Sequence, residues 1–583
     1  MSSIARAFCL TVSLLALAPS AVWAAGPSRP AVDEPVVKPD RRSTSLWGRS
    51  FSGAYLAGRH AEREFDLGTA ADQLERALAL APDNLELQQR VFLLKLSDGR
   101  FDASLPHARK LVDAQDGLTL SVMRVALEQV RQGDYAAARK LVETIPPLRY
   151  NAAARPILLA WIALADQGRD AALAALESST NQRGFLRLLA LHRALINDVA
   201  GRPDAAAAAF SSLMEGDGDP SLRVVQLATN FYARQGDTEQ ASALRDAYQQ
   251  THPQSVTLMP EPVATGGTPE PLIRDARDGI AETLFNLAGI YYDDRELAMA
   301  LVHARLAEGL RPGYPMSTLL IGEILETQKR YADALALYAA VGEDTPFAAA
   351  LALRVARNLD QQDRTDEAVR VLEAFAADKR PGGVETLLAL GHILRGRERF
   401  QEATQAYDRA IEQVDTLQPQ HWGYFYARGI ALERSGEWER AQADLKQALT
   451  LSPEQPYVLN YLGYSWIDRR DNLEEAEGLV RRASELRPED GFIADSLGWV
   501  YFVTGRYEEA VRELERAVQL EPGDPTINEH LGDAYWKVGR RNEARFQWAH
   551  ALRMDPDEKR VAAIEAKVEC GLDGCPVKAA RGG

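Results

Sequence analysis

The feature that most constrains this chain is a period. Leu497-Gly498, Tyr501, Ala510, Leu514, Ala517 and Pro522 recur thirty-four residues later as Leu531-Gly532, Tyr535, Ala544, Trp548, Ala551 and Pro556. Upstream, Leu462-Gly463, Trp466, Ala476, Ala483 and Pro488 keep the spacing with one residue inserted, and Gly429, Leu432, Ala441, Leu445, Ala448 and Pro453 keep it without one. A fixed period of this length marks a stacked array, in which each unit buries its apolar face against its neighbours. With 583 residues the chain is too long for one ordinary core, and an array removes that difficulty.

Each position has a steric reason. Gly or Ala in the first helix and the first Ala of the second let two helices touch, and the large residues fill the groove beside them. The proline ends the second helix and starts the turn into the next unit. Gly436 and Gly505 open the turns Gly-Glu-Trp-Glu-Arg-Ala and Gly-Arg-Tyr-Glu-Glu-Ala between the helices of one unit. Glycine there permits the left-handed backbone that closes a helix. The pattern resembles the tetratricopeptide repeat, which implies an all-α helix-turn-helix solenoid.

Extending the frame places units near residues 281, 315, 349, 384, 422, 456, 491 and 525, the 384 unit carrying extra residues before Trp422. Ala70, Leu74, Ala77 and Pro82 mark an earlier unit starting near 51, and Gly99, Gly133, Gly168, Gly201 and Gly236 recur at the expected inter-helix turns. The reading is about six units over 51–253 and about eight over 281–557. Between them, 254–280 carries Pro260, Pro262, Pro269, Pro271 and Gly266-Gly267. It reads as a long loop between two superhelical halves, or else as a degenerate repeat. Residues 558–583 read as a capping helix, Glu558 to Val568, with a cysteine-containing tail.

The first 24 residues read as an export signal: Arg6, an apolar run from Ala7 to Ala18, then Val22-Trp23-Ala24 as a cleavage site. The alternative is an uncleaved anchor, for which the run is short. No lipobox is present, because Cys9 precedes the apolar core. Residues 25–50 form a proline-rich leader of disordered composition. Periplasmic localisation follows as the expectation, with no direct membrane span. Cys570 and Cys575 remain in the tail, either as a small local disulfide in an oxidising compartment or as two free thiols. No metal or cofactor site is expected, since the pair has no histidine nearby.

A formal net charge of -16 repels phosphates and argues against nucleic acid as a partner. None of the nine histidines forms His-x-x-x-His, and no phosphate loop or nucleophile elbow occurs. Glu474-Glu475 and Glu508-Glu509 read as solvated helix faces. His392 falls in a first helix and reads as packed or solvated. The chain is therefore expected not to be an enzyme.

In solenoids of the resembled class the first helix of each unit lines the concave surface. From residue 422 on, its inward positions hold Tyr426, Tyr457, Asn460, Tyr464, Phe492, Asp495, Trp499, Phe502, Glu529, Asp533 and Trp536. Tyr426, Tyr457, Asn460, Tyr464, Phe492, Trp499, Phe502 and Trp536 are the candidate protein-binding residues, with exposed rings to hold apolar side chains and an amide for a peptide backbone. The alternative for any one ring is packing between adjacent first helices. Arg357 and Arg395 are the basic candidates in the groove, and no paired asparagines accompany them as in a terminal-carboxylate clamp.

Residues 457–556 resemble a narrower group. Asn460-Tyr461-Leu462-Gly463-Tyr464, Leu473-Glu474-Glu475-Ala476, Asp495-Ser496-Leu497-Gly498-Trp499-Val500-Tyr501 and His530-Leu531-Gly532-Asp533 are similar to long periplasmic tetratricopeptide adaptor lipoproteins of Gram-negative bacteria. The resemblance implies a protein-binding scaffold that acts as adaptor for a carboxyl-terminal processing protease degrading cell-wall enzymes. Those adaptors are lipidated, whereas this chain lacks the lipobox. A structural component of an envelope polysaccharide export or biosynthesis machine is the other function expected of such an array.

Overall fold

The computed structural model describes residues 50–114, 119–177, 185–215, 219–258, 268–341, 345, 347–377 and 382–572. The export segment, most of the leader, Pro260, Pro262, Gly266-Gly267 and Cys575 lie outside the described residues. Helices alone form the regular structure of the described residues.

They come in pairs. The first six are α1 (Phe51–Arg63) with α2 (Leu67–Leu80), α3 (Leu85–Ser97) with α4 (Phe101–Asp113), α5 (Thr119–Gln132) with α6 (Tyr135–Glu143), α7 (Asn151–Asp166) with α8 (Arg169–Glu177), α9 (Leu186–Val199) with α10 (Pro203–Glu215), and α11 (Leu222–Arg234) with α12 (Thr238–Thr251). Then follow α13 (Ala276–Asp293) with α14 (Leu297–Leu310), α15 (Pro315–Thr327) with α16 (Tyr331–Ala339), α17 (Ala348–Asp360) with α18 (Thr365–Ala377), and α19 (Gly383–Gly396) with α20 (Phe400–Glu412). The last are α21 (Trp422–Arg434) with α22 (Trp438–Leu451), α23 (Pro456–Arg469) with α24 (Leu473–Leu486), α25 (Gly491–Val503) with α26 (Tyr507–Leu520), and α27 (Pro525–Lys537) with α28 (Arg541–Ala551), before a single helix α29 (Glu558–Cys570).

Local chemistry sets the ends. Asp490 accepts hydrogen bonds from the Phe492 and Ile493 amides, and Asp524 from those of Thr526 and Ile527, so two orphan donors at each helix start are satisfied. Pro315, Pro456 and Pro525 occupy the first helical position, where their missing N–H costs nothing. The turn inside a pair needs one left-handed residue: Gly505 has φ +80 and Gly436 φ +88. Arg295, Lys329, Asp363, Glu398 and Arg470 take the same conformation without being glycine, so the array tolerates a side chain there at some strain.

Within a pair, small meets large. A Cβ on Gly498 would stand 2.6 Å from Leu514 Cγ, and one on Gly463 2.6 Å from Val480 Cγ2. Where the second helix carries a ring, at Tyr338, Tyr407 and Trp548, the facing residue is again glycine: Gly322, Gly391 and Gly532. These glycines set the distance between the helices of their pairs.

The described residues form two compact units, 50–386 and 387–572, with the boundary inside α19. This differs from the expected break at 254–280. The described ends of that stretch belong to the first unit: Leu258 and Ile273 are buried, Gln226 donates to the Leu258 carbonyl, and Asn230 donates to that of Glu270. The reason is that α13 and α14 fold back onto the first six pairs. Gly279 of α13 lies against the Trp161 indole of α7, and Gly309 of α14 against the Phe101 ring of α4, so closely that a Cβ at either glycine would overlap the ring. Glu282 of α13 accepts from Arg223 of α11 at 2.7 and 3.0 Å and from Tyr314 at 2.6 Å, all buried. First helices α7 and α11 are therefore covered by the chain itself.

The second unit holds a continuous core that includes Leu462, Trp466, Val500, Leu531 and Trp548. Helix α29 closes its last pair. Ile564 is buried, and Lys567 bonds Glu529 at 2.6 Å and Asp533 at 2.7 Å from across α27. A solenoid end otherwise leaves an apolar face in water.

Candidate functional site

The face formed by first helices α21, α23, α25 and α27 carries the eight residues singled out from the sequence. They divide into two groups.

Phe492, Trp499, Phe502 and Trp536 serve packing. Phe492 packs against the buried cluster of Ala494, Ala517 and Ile527. Trp499 stacks on Phe502, centroids 4.8 Å apart, and on His530, 4.0 Å apart. Phe502 also meets Tyr507 edge-on at 5.5 Å. Trp536 is only 8% exposed, which corrects its reading as an open groove ring. It lies 5.5 Å from Trp548, with the guanidinium groups of Arg541 and Arg545 at 5.0 and 5.3 Å and Gly571 pressed against it. The helix that closes the array covers this ring.

Tyr426, Tyr457, Asn460 and Tyr464 keep polar ends without hydrogen-bond partners among the described residues. All four are half-buried. Tyr426 sits edge-on to Tyr461 at 5.9 Å and beside Trp422 at 5.9 Å, and burial pushes its hydroxyl up to about 12. The Tyr457 ring faces the Arg487 guanidinium at 6.0 Å. Asn460 Oδ1 is buried with no hydrogen-bond partner. The Tyr464 hydroxyl is raised above the usual tyrosine range by burial, then by the Asp495 and Asp468 carboxylates.

The charges further along are already paired. Asp495 accepts from His530 at 2.9 Å, and Glu529 and Asp533 are held by Arg560 and Lys567 of α29. Asp533 also accepts from the Trp548 indole at 2.9 Å. Sequence reasoning missed the part played by Tyr461, whose hydroxyl donates to Glu433 at 3.3 Å, and by Arg560 and Lys567. The last two had a signal: basic residues one repeat beyond an acidic groove position. His392 is packed, with Nδ1 2.9 Å from the Tyr407 hydroxyl, and burial followed by the Arg395 charge lowers it to about 3. Arg357 lies in the other unit, beside Arg354, whose guanidinium is taken by Glu323 and Glu326.

Among the described residues no group of three or more His, Cys, Asp or Glu is placed to hold a metal, and no helix is long and apolar enough to cross a membrane. Cys570 is disulfide-bonded, while Cys575 lies outside the described residues.

The comparisons with known proteins bear on the same region. The family model described as tetratricopeptide repeat matches residues 353–417 and 426–491, and the one described as TPR repeat matches 498–539. The TPR repeat-containing protein PA4667 of Pseudomonas aeruginosa is 29% identical over 192 residues, 33% of this chain and 32% of that protein. The chain thus spans about a third of the curated relative it matches. Among solved structures, a tetratricopeptide repeat protein from Parabacteroides merdae is 19% identical, covering 38% of this chain and 85% of its own, with a TM-score of 0.33. A thermophilic TPR protein of Thermus thermophilus is 23% identical, covering 32% and 98%, with a TM-score of 0.28. Paired helices on a step of about thirty-four residues, glycine seated on a bulky partner in each pair from α19 to α28, and the family matches within 353–539 show that the chain carries tetratricopeptide repeats, the architecture of a protein-interaction scaffold.

Proposed function

We propose that the chain is an exported, periplasmic protein-binding scaffold that grips a polypeptide across Tyr426, Tyr457, Asn460 and Tyr464, and that it serves as an adaptor for a carboxyl-terminal processing protease. The observation that carries the binding reading is the buried Asn460 Oδ1 without a partner among the described residues, with the half-buried rings of Tyr426, Tyr457 and Tyr464 on the same face. A buried polar atom left unsatisfied costs about 1–3 kcal/mol. A peptide backbone running along the first helices supplies the missing bonds, and the phenol rings cover its apolar side chains.

The adaptor reading draws on the likeness of residues 457–556 to periplasmic adaptors and on the export signal around Arg6 and Val22-Trp23-Ala24. Its test is titration of the folded chain with the processing protease of the same organism, in wild type and in Asn460→Ala/Tyr464→Ala. Binding that weakens about thirtyfold or more in the variant supports it. Wild-type chain that does not bind the protease contradicts the adaptor role and leaves the scaffold. Export is checked by N-terminal sequencing of the mature protein, which should begin at Ala25.

A further inference from the structure

Several charged groups on the first helices of the second unit are spoken for. Glu433 takes Tyr461 and Arg469, Asp495 takes His530, and Glu529 and Asp533 take Arg560 and Lys567. Arg395 on α19 stands apart: it is half-buried and has neither an ion pair nor a hydrogen bond among the described residues. Its neighbour Arg399, by contrast, pairs with Glu402 at 2.7 Å. Among the described residues, His392, Tyr407 and Tyr426, all neutral, feel the Arg395 charge. His392 supplies no negative charge: its imidazole is hydrogen-bonded to Tyr407 and kept neutral in its buried site.

A half-buried guanidinium with no ion pair or hydrogen bond among the described residues lacks the anion that its fork is shaped to receive. We infer that the polypeptide gripped by the second unit presents an aspartate or glutamate side chain to Arg395, while its backbone runs on towards Asn460 and Tyr464 two units further along. The inference rests on the binding reading above and adds the chemistry of the partner. Charge complementarity selects the ligand: one guanidinium matches one carboxylate, whereas a phosphate brings nearly two charges and calls for a cluster of arginines. A side chain rather than a chain terminus is specified because Arg395 is recessed, and a side-chain carboxylate reaches down to it from a backbone lying above.

The test is selection of peptides by the full chain from a random library tethered at both ends, so that no terminal carboxylate is offered. The expected result is enrichment with Asp or Glu at one fixed position. A selected acidic peptide should bind Arg395→Met roughly tenfold or more weakly, as loss of a charge-assisted hydrogen bond requires. It should bind Arg512→Met, on the outer helix α26, unchanged. Selection with Arg395→Glu should favour Lys or Arg at the same position, which a merely structural Arg395 would not produce. Enriched peptides without an acidic preference, or with one that survives in both Arg395 variants, overturn the inference and leave the groove reading standing. Enrichment only from a library with free carboxyl ends also overturns it, in favour of a chain terminus. No enrichment by wild type from either library overturns the groove reading itself, and the inference with it.

Discussion

The imidazole of His530 lies almost flat on the indole of Trp499, their centroids 4.0 Å apart and their planes 17° from parallel. Asp495, one unit back, holds the same imidazole at 2.9 Å. Burial works against a charge on His530, but the Asp495 carboxylate, by charge and hydrogen bond, with Asp533 and Glu529 behind it, outweighs burial and raises the pKa. A raised folded pKa stabilises the native state fully below the unfolded value of about 6.5 and loses that contribution as pH rises through the folded value. NMR titration should place His530 above 6.5 in wild type. In Asp495→Asn burial should dominate and bring the midpoint below it. Equal midpoints in the two proteins would show that Asp495 does not set the charge of His530.

The same stack recasts Trp499. Its ring is held between Phe502 and His530, so Trp499→Ala should destabilise the second unit by roughly 2–3 kcal/mol, near the low end for buried aromatic truncation. Chemical denaturation measures this. A loss well below 1 kcal/mol would mean that the ring contributes little to packing and faces a partner after all.

Gly498 faces Leu514 so closely that even the Cβ of alanine would stand 2.6 Å from Leu514 Cγ. Gly498→Leu should therefore cost about 1–3 kcal/mol or more by overpacking, and Gly498→Ala less. Neighbouring units should weaken as well, because each repeat is stabilised by the next. Melting followed by circular dichroism checks the order wild type, alanine, leucine; identical transitions would refute the contact.

In the first unit, Glu282→Gln leaves the Arg223 guanidinium buried beside a neutral amide. Breaking such a pair costs about 3–5 kcal/mol. Replacing both partners, as Arg223→Met with Glu282→Leu, should recover much of that, since the desolvation of two charges disappears with them. Urea unfolding of the three proteins decides it. A single variant as stable as wild type would mean that α13 is not fastened to α11 through this pair.

What the sequence made legible follows from where the constraint lies. The contact of Gly498 with Leu514 is repeated in kind in every pair from α19 to α28, so periodicity exposes it, and α15, α21, α23, α25 and α27 begin at 315, 422, 456, 491 and 525 as the spacing requires. The docking of Gly279 on Trp161 occurs once, between residues far apart in the chain, and no period encodes it. For this reason 254–280 reads in the sequence as a loop between two halves, while α13 and α14 pack on the helices before it. Trp536 fails for a related reason. It occupies a groove position by register, but it belongs to the last pair, where α29 and Gly571 cover what the next first helix would otherwise cover. At Arg295, Lys329, Asp363, Glu398 and Arg470 the left-handed residue of the turn is not a glycine, so the spacing, and not side-chain identity, marks those turns.

The most direct test of the central claim is site-specific photo-crosslinking in cells that express the full chain. A benzophenone side chain would replace Tyr457 on the groove face of α23 or, as control, the exposed Glu508 on α26. The account predicts a discrete crosslinked polypeptide from position 457 that is absent from position 508 and fades when Asn460→Ala is added. Crosslinks from position 508 alone, or none from position 457 in a folded protein, would contradict it.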